Sequence, residues 1–217
     1  MGHYHQYCPI ARAVEILGER WTVLVVRNIM MGADTFNEIA RGVPTMSRSV
    51  LVRRLHELTA AGVVATSPKP GGGSTYRLTP AGEDLAGVVE QLGGWGTRWI
   101  DVTAEHCDPG FALWAWCQVQ MDTAALPAAR TVVRFTFPCE RPSNRRYWIL
   151  VEHGAAELCY ADPGGEPDVD VVADSTAFVD WHRGARSWAD ALRRGDIVVT
   201  GRRDLARALP TWNTHDP

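Results

Sequence analysis

Apolar residues recur every three to four positions over most of the first hundred residues, a pattern that predicts a run of short helices. Ile10, Ala13, Val14 and Leu17 fall at i, i+3, i+4 and i+7, so residues 9–17 are expected to form a helix, with Pro9 in its first turn and Gly18 at its end. Residues 20–31 are apolar nearly all round (Trp21, Val23, Leu24, Val25, Val26, Ile29, Met30), the pattern of a helix covered on several sides. Thr35 suits the cap of a third short helix carrying Phe36, Ile39 and Ala40, and Gly42-Val43-Pro44 makes the turn that follows. Ser47 then caps a helix in which Leu51, Leu55 and Leu58 face inward, while Arg48, Ser49, Val52, Arg53 and His56 fall on the other side. Gly62 ends it. Residues 63–66, the tip Pro68-Lys69-Pro70-Gly71-Gly72-Gly73 and residues 75–78 read as a hairpin. Thr79-Pro80 restarts a helix bearing Leu85, Val88, Val89, Leu92, Trp95, Gly96 and Trp99, a stripe longer than a small domain can cover, which calls for a partner subunit.

From residue 101 the pattern changes. Residues 101–110 have no periodicity and contain Asp108-Pro109-Gly110, so two domains are expected, 1–103 and 104–217. Residues 111–121, with Leu113, Trp114, Trp116, Cys117 and Val119, fit either a helix or an extended lead-in. Val133, Phe135 and Phe137 alternate with Val132, Arg134 and Thr136 as a half-buried strand; residues 147–151 and 155–160 flank His153-Gly154 as a hairpin; Val169, Val171 and Ala173 mark a further strand. Asp174 caps a helix through Phe178 and Trp181, and Ser187-Trp188-Ala189-Asp190 opens another that stops at Gly195. A strand over 197–200 and a stripe of Leu205, Ala208, Leu209 and Trp212, shortened by Pro210, complete an α+β sheet domain.

Composition narrows the classes. At 217 residues, 46% hydrophobic and 22% charged, the chain is ordinary soluble globular protein, with no membrane-length apolar run and no basic-then-apolar leader. A cytoplasmic protein without a membrane partner is expected. Five cysteines, odd in number and irregularly spaced, suit reduced thiols better than a disulfide framework. The net charge of −3 argues against a nucleic-acid binder, but its distribution reverses that impression. Between residues 41 and 77 stand Arg41, Arg48, Arg53, Arg54, Lys69 and Arg77 against the single acid Glu57, the electrostatic footprint of phosphate contact. A capped helix followed at once by a basic-tipped hairpin is the pattern of a winged helix, and double-stranded DNA is its expected partner. There is no Gly-x-Ser-x-Gly, Cys-x-x-Cys, His-Glu-x-x-His or phosphate loop, so neither an enzyme nor a cofactor is expected.

Cys8-Pro9, Gly18-Glu19-Arg20-Trp21-Thr22, Phe36-Asn37-Glu38-Ile39, Ser47 to Leu55, Leu58 to Val64 and Tyr76 to Gly82 together resemble the HxlR family of bacterial transcription regulators over about the first 100 residues. The resemblance implies a winged-helix homodimer, paired through its first and last helices, that binds an inverted-repeat operator. The glycine-rich wing, with one lysine, carries less charge than relatives often do. A looser resemblance, to sterol-carrier-protein-2-like domains, covers about 130–212, chiefly Asp168 to Asp174 and Ala189 to Gly201. It implies an apolar cavity for lipids or other hydrophobic molecules, and hence a sensor for a hydrophobic effector.

Candidate site residues follow from these frames. Thr45, Ser47 and Ser49 lie at the amino end of the recognition helix, where hydroxyls and free amides hold phosphate. Arg48 and Arg53 project outward to read guanine edges; Arg54, Lys69 and Thr75 are assigned to the DNA backbone. Trp114, Trp116, Phe135, Phe137, Trp148 and Trp188 are the candidate lining of a hydrophobic pocket. Cys8 stands at a helix amino terminus, where the dipole favours a thiolate, so a thiol sensor is the alternative to a ligand sensor; a lipid-binding or catalytic protein is the further alternative. His3, His5 and Cys8 have an unorthodox spacing, and no metal is expected there.

Overall fold

Helix capping and glycine punctuation set the order of the first unit in the computed structural model, which describes residues 4–214. Contacts divide the chain into residues 1–101 and 102–217. The first unit runs α1 (Pro9–Leu17), α2 (Thr22–Met30), α3 (Phe36–Arg41), α4 (Arg48–Ala60), β1 (Val64–Pro68), β2 (Ser74–Leu78), α5 (Pro80–Glu83) and α6 (Ala86–Trp99). It is a winged helix: α2, α3 and α4 pack around Val25, Val26, Ile29, Ile39, Leu51, Leu55 and Leu58, and β1 and β2 form the antiparallel wing, paired from Val64↔Leu78 to Pro68↔Ser74.

Several of these helix ends have a local cause. Thr35 Oγ1 accepts from the Glu38 amide and the Glu38 carboxylate accepts from the Thr35 and Asp34 amides, a reciprocal capping box that starts α3. Buried Asn28 donates to the Ile39 carbonyl at 2.8 Å and accepts from Arg27, whose guanidinium also reaches the Gly42 carbonyl at 2.9 Å. A Cβ on Gly42 would lie 2.4 Å from the Asn28 amide, so only glycine lets this turn press onto α2. The α3–α4 turn is thereby tied to the core. The helix expected from Thr79 onward is two pieces, α5 and α6, broken at Asp84 and Leu85. Gly82 lets α5 press onto the start of the wing, since a Cβ there would meet the Val63 carbonyl oxygen at 2.2 Å.

The second unit opens with α7 (Pro109–Ala115), started by Asp108 accepting from the Gly110 and Phe111 amides, and continues into a π-helical turn, Trp116–Gln120. The ambiguous lead-in is therefore helical. Then come β3 (Thr131–Thr136), β4 (Arg146–Glu152), β5 (Ala155–Cys159), β6 (Val169–Ala173), α8 (Ser175–His182), α9 (Trp188–Arg194), β7 (Ile197–Gly201) and α10 (Arg203–Ala208). The sheet order is β5-β4-β3-β6-β7, antiparallel except for the parallel β3–β6 pair that the topology places at its centre. This is a mixed α+β layer with one buried and one partly exposed sheet face. His3 lies outside the described residues. Among the described residues no helix is long and apolar enough to cross a membrane.

Candidate nucleic-acid interface

The helix α4 carries two opposed rows at the same spacing. Leu51, Arg54, Leu55 and Leu58 are buried, whereas Ser49, Val52, Arg53 and His56 are exposed on the opposite side. Ser47 Oγ accepts from the Val50 amide at 3.4 Å and lies 3.2 Å from Ser49 Oγ, so the cap and its neighbour are linked at the amino end. Thr45, Ser47, Arg48 and Ser49 are all exposed there, beside the free amides of the first helical turn. Such an end holds anions.

Arg48 is held in place before any partner arrives. Its guanidinium lies 4.7 Å from the centroid of the Phe36 ring and donates to Asn37 Oδ1 at 2.9 Å. Helix α3 therefore aims a residue of α4, a contact across eleven positions that local periodicity does not reveal. Arg53 and His56 are exposed, and among the described residues no acidic side chain engages either. At the wing, Lys69 is exposed on a tip whose Gly71, Gly72 and Gly73 all have positive φ, closed by Lys69 N–H to Gly73 O at 3.1 Å. Thr75 is half-buried and its hydroxyl donates to the Ser67 carbonyl at 3.3 Å, at the wing base where residues 35 and 75 also bridge.

Arg54 is a correction. It was expected on the DNA backbone, but it belongs to the inward row, with 5% of its side chain exposed. It donates to Glu19 at 2.8 Å and to Glu57, and so fastens α4 to the α1–α2 connection. Helical phase is the reason: Arg54 stands three residues after Leu51 and four before Leu58, on the leucine side.

The six aromatic candidates of the second unit separate likewise. Trp114, Trp116, Phe135, Phe137 and Trp188 are buried. Trp116 stacks edge-on to Trp181 at 5.0 Å and to Phe135 at 6.2 Å, Phe137 meets Phe178 at 5.3 Å, and Trp188 meets Trp181 at 4.5 Å. The Trp116 indole donates to the Trp212 carbonyl at 3.0 Å. These rings are the core of the unit rather than a lining awaiting a ligand, because inward residues of β3 interlock with α7 and α8. Trp148 differs. It lies on the other sheet face, half-buried, opposite Arg134 and Cys159 in the register.

Cys8 is the N-cap of α1, half-buried and a free thiol. Two further features surround the helix that follows it. On α1, Ile10 and Val14 are exposed, as is Tyr7 just before it, and on α6 Val88, Leu92, Trp95 and Trp99 are exposed, the two tryptophans by 57% and 68%. No residue of α6 is buried, so its apolar stripe is uncovered in the single chain.

Residues 16–104 match the profile of the HxlR-like helix-turn-helix family. The uncharacterized HTH-type transcriptional regulator YvaP of Bacillus subtilis (strain 168) is 37% identical over 99 residues, which span 44% of this chain and 92% of that protein. The uncharacterized HTH-type transcriptional regulator MT3179 of Mycobacterium tuberculosis (strain CDC 1551 / Oshkosh) is 32% identical over 123 residues, 50% of this chain and 77% of its own. Among solved structures, the reduced form of the transcriptional regulator YodB from B. subtilis is similar at 29% identity and a TM-score of 0.39, covering 44% of this chain and 97% of that one.

Proposed function

Because the chain belongs to the HxlR-like family of helix-turn-helix transcription regulators, we propose that it acts as a homodimer that binds an inverted-repeat operator and responds to a small hydrophobic effector. The observation that carries this reading is the outward row of α4, where exposed Ser49, Arg53 and His56 stand beside an Arg48 already aimed by Phe36 and Asn37. Arg48 and Arg53 would read guanine edges, Thr45, Ser47, Ser49 and Lys69 would fix the register on phosphates, and Thr75 would serve mainly to shape the wing. The uncovered stripes of α1 and α6 supply the dimer contact, and a two-fold pair places the recognition helices about one DNA turn, roughly 34 Å, apart or at a multiple of it.

The second unit, all but the first three residues of which lie beyond residue 104 where the family match ends, is assigned the sensing role that its resemblance to sterol-carrier-protein-2-like domains suggests. With five of the six aromatic candidates committed to the core, Trp148 is the one left accessible to such a ligand. An effector shifts the operator equilibrium only through different contacts with the DNA-competent and DNA-incompetent spacings of the dimer. The alternative input is oxidation or alkylation of Cys8, favoured by its place at the N-cap of a dimer-stripe helix.

The test is fluorescence anisotropy of a labelled fragment from the gene's own upstream region, titrated with the full chain. Saturable binding that a mixture of hydrophobic metabolites releases supports the ligand reading. Binding indifferent to the mixture but lost on diamide treatment, and retained by Cys8→Ser, moves the switch to Cys8. Arg53→Ala should weaken specific binding by about 1–3 kcal/mol, and an unchanged affinity removes Arg53 from the interface.

A further inference from the structure

Val52 is 57% exposed on the same outward row as Ser49, Arg53 and His56, in the middle of that row and one turn from the capped end of α4. Its neighbours on the row each offer a hydrogen-bond donor or acceptor. Val52 offers neither. A side chain that cannot hydrogen-bond discriminates among base edges only through apolar contact, and the thymine C5-methyl is the one apolar group that base pairs present in the major groove. Val52 is also β-branched, so in a helix its two methyls are fixed in essentially one rotamer and meet a partner with little further loss of freedom.

Resting on the reading of α4 as the recognition helix, we infer that Val52 is a specificity-determining residue that selects thymine in each half-site by packing its methyls on the base's C5-methyl. The three polar neighbours at positions 49, 53 and 56 flank that contact, so the selected thymine lies beside the base that Arg53 reaches. Burying one methyl group against another corresponds to about a three- to five-fold preference for thymine over a base lacking the methyl. Val52 thus sets sequence preference without adding to the salt dependence that the arginines contribute.

The experiment enriches duplexes from a random pool with the full chain, then replaces each thymine of the enriched half-site singly by uracil, which removes only the methyl. The expected result is one position per half-site where uracil weakens binding about three- to five-fold in the wild type and has no effect in Val52→Ala. Val52→Ala should leave the thermal midpoint and the salt slope of binding unchanged, which separates lost readout from lost folding. Enriched binding with no uracil-sensitive position, or with one equally sensitive in Val52→Ala, overturns the inference while leaving the recognition helix standing. A pool that enriches no sequence overturns the recognition-helix reading itself, and the inference falls with it.

Discussion

Two adjacent arginines of α4 have opposite roles, and replacing the second of them tests this most sharply. Arg54→Ala removes a side chain that is 5% exposed and paired with both Glu19 and Glu57. A hydrogen bond to a charged group contributes about 1.5–3 kcal/mol, and breaking a fully buried pair costs about 3–5 kcal/mol. Glu19 and Glu57 keep 41% and 24% of their side-chain surface in water, so they rehydrate when the guanidinium goes, which places the loss at about 2–4 kcal/mol. For a unit of roughly 100 residues that lowers the unfolding midpoint by about 10–25 °C. Calorimetry of the full chain should show the transition of the first unit moving down while that of the second unit stays in place. Arg54→Lys should recover little, because one ammonium cannot bridge two carboxylates as a planar fork does. An Arg54→Ala protein with an unshifted transition and an operator affinity that loses one salt-dependent contact would make Arg54 a phosphate contact and refute the clamp.

Three further outcomes are expected. The Glu38 carboxyl is held below its ordinary value of 4.5: burial alone would raise it, and hydrogen bonds from Thr35 and Asp34 outweigh that. A depressed folded value gives stability that is present above about pH 4.5 and lost as pH falls through the folded value, so Glu38→Gln, which keeps an acceptor but not the charge, should cost about 0.5 kcal/mol by urea unfolding at pH 7 after solvent screening and progressively less below pH 4.5; a gap independent of pH contradicts this. Trp95→Glu places a charge in the exposed stripe of α6; the proposed dimer predicts that the wild type sediments as two chains and this variant as one, with the helical circular dichroism retained. Gly82→Ala drives a Cβ to within 2.2 Å of the Val63 carbonyl oxygen and should destabilise the wing junction by at least about 1–3 kcal/mol in urea unfolding; an unchanged midpoint would show that the junction yields without cost.

The helices of the first unit are legible in the sequence because their caps and their apolar spacing agree: Thr35, Ser47 and Thr79 each accept from an amide three residues on. The outward row of α4 follows from the same period. Arg54 has the residue type of a phosphate contact but the helical phase of Leu51 and Leu58, and phase places it inward. The hold of Phe36 and Asn37 on Arg48 is tertiary and leaves no local trace. In the second unit, alternation marked Val133, Phe135 and Phe137 as inward, and all three are buried. Alternation tells which face a ring occupies, not whether the space it enters is open, and here Phe178 and Trp181 fill it.

The most direct test of the central claim is selection of duplexes from a random pool by the full chain, followed by titration of the enriched duplex at several salt concentrations. The account predicts enrichment of an inverted repeat with half-sites about one helical turn, or a multiple of it, apart, bound by two chains, with affinity falling steeply as salt rises. Absence of any enriched sequence, or weak binding equal on all duplexes, would contradict the reading of α4 as the element that recognises DNA.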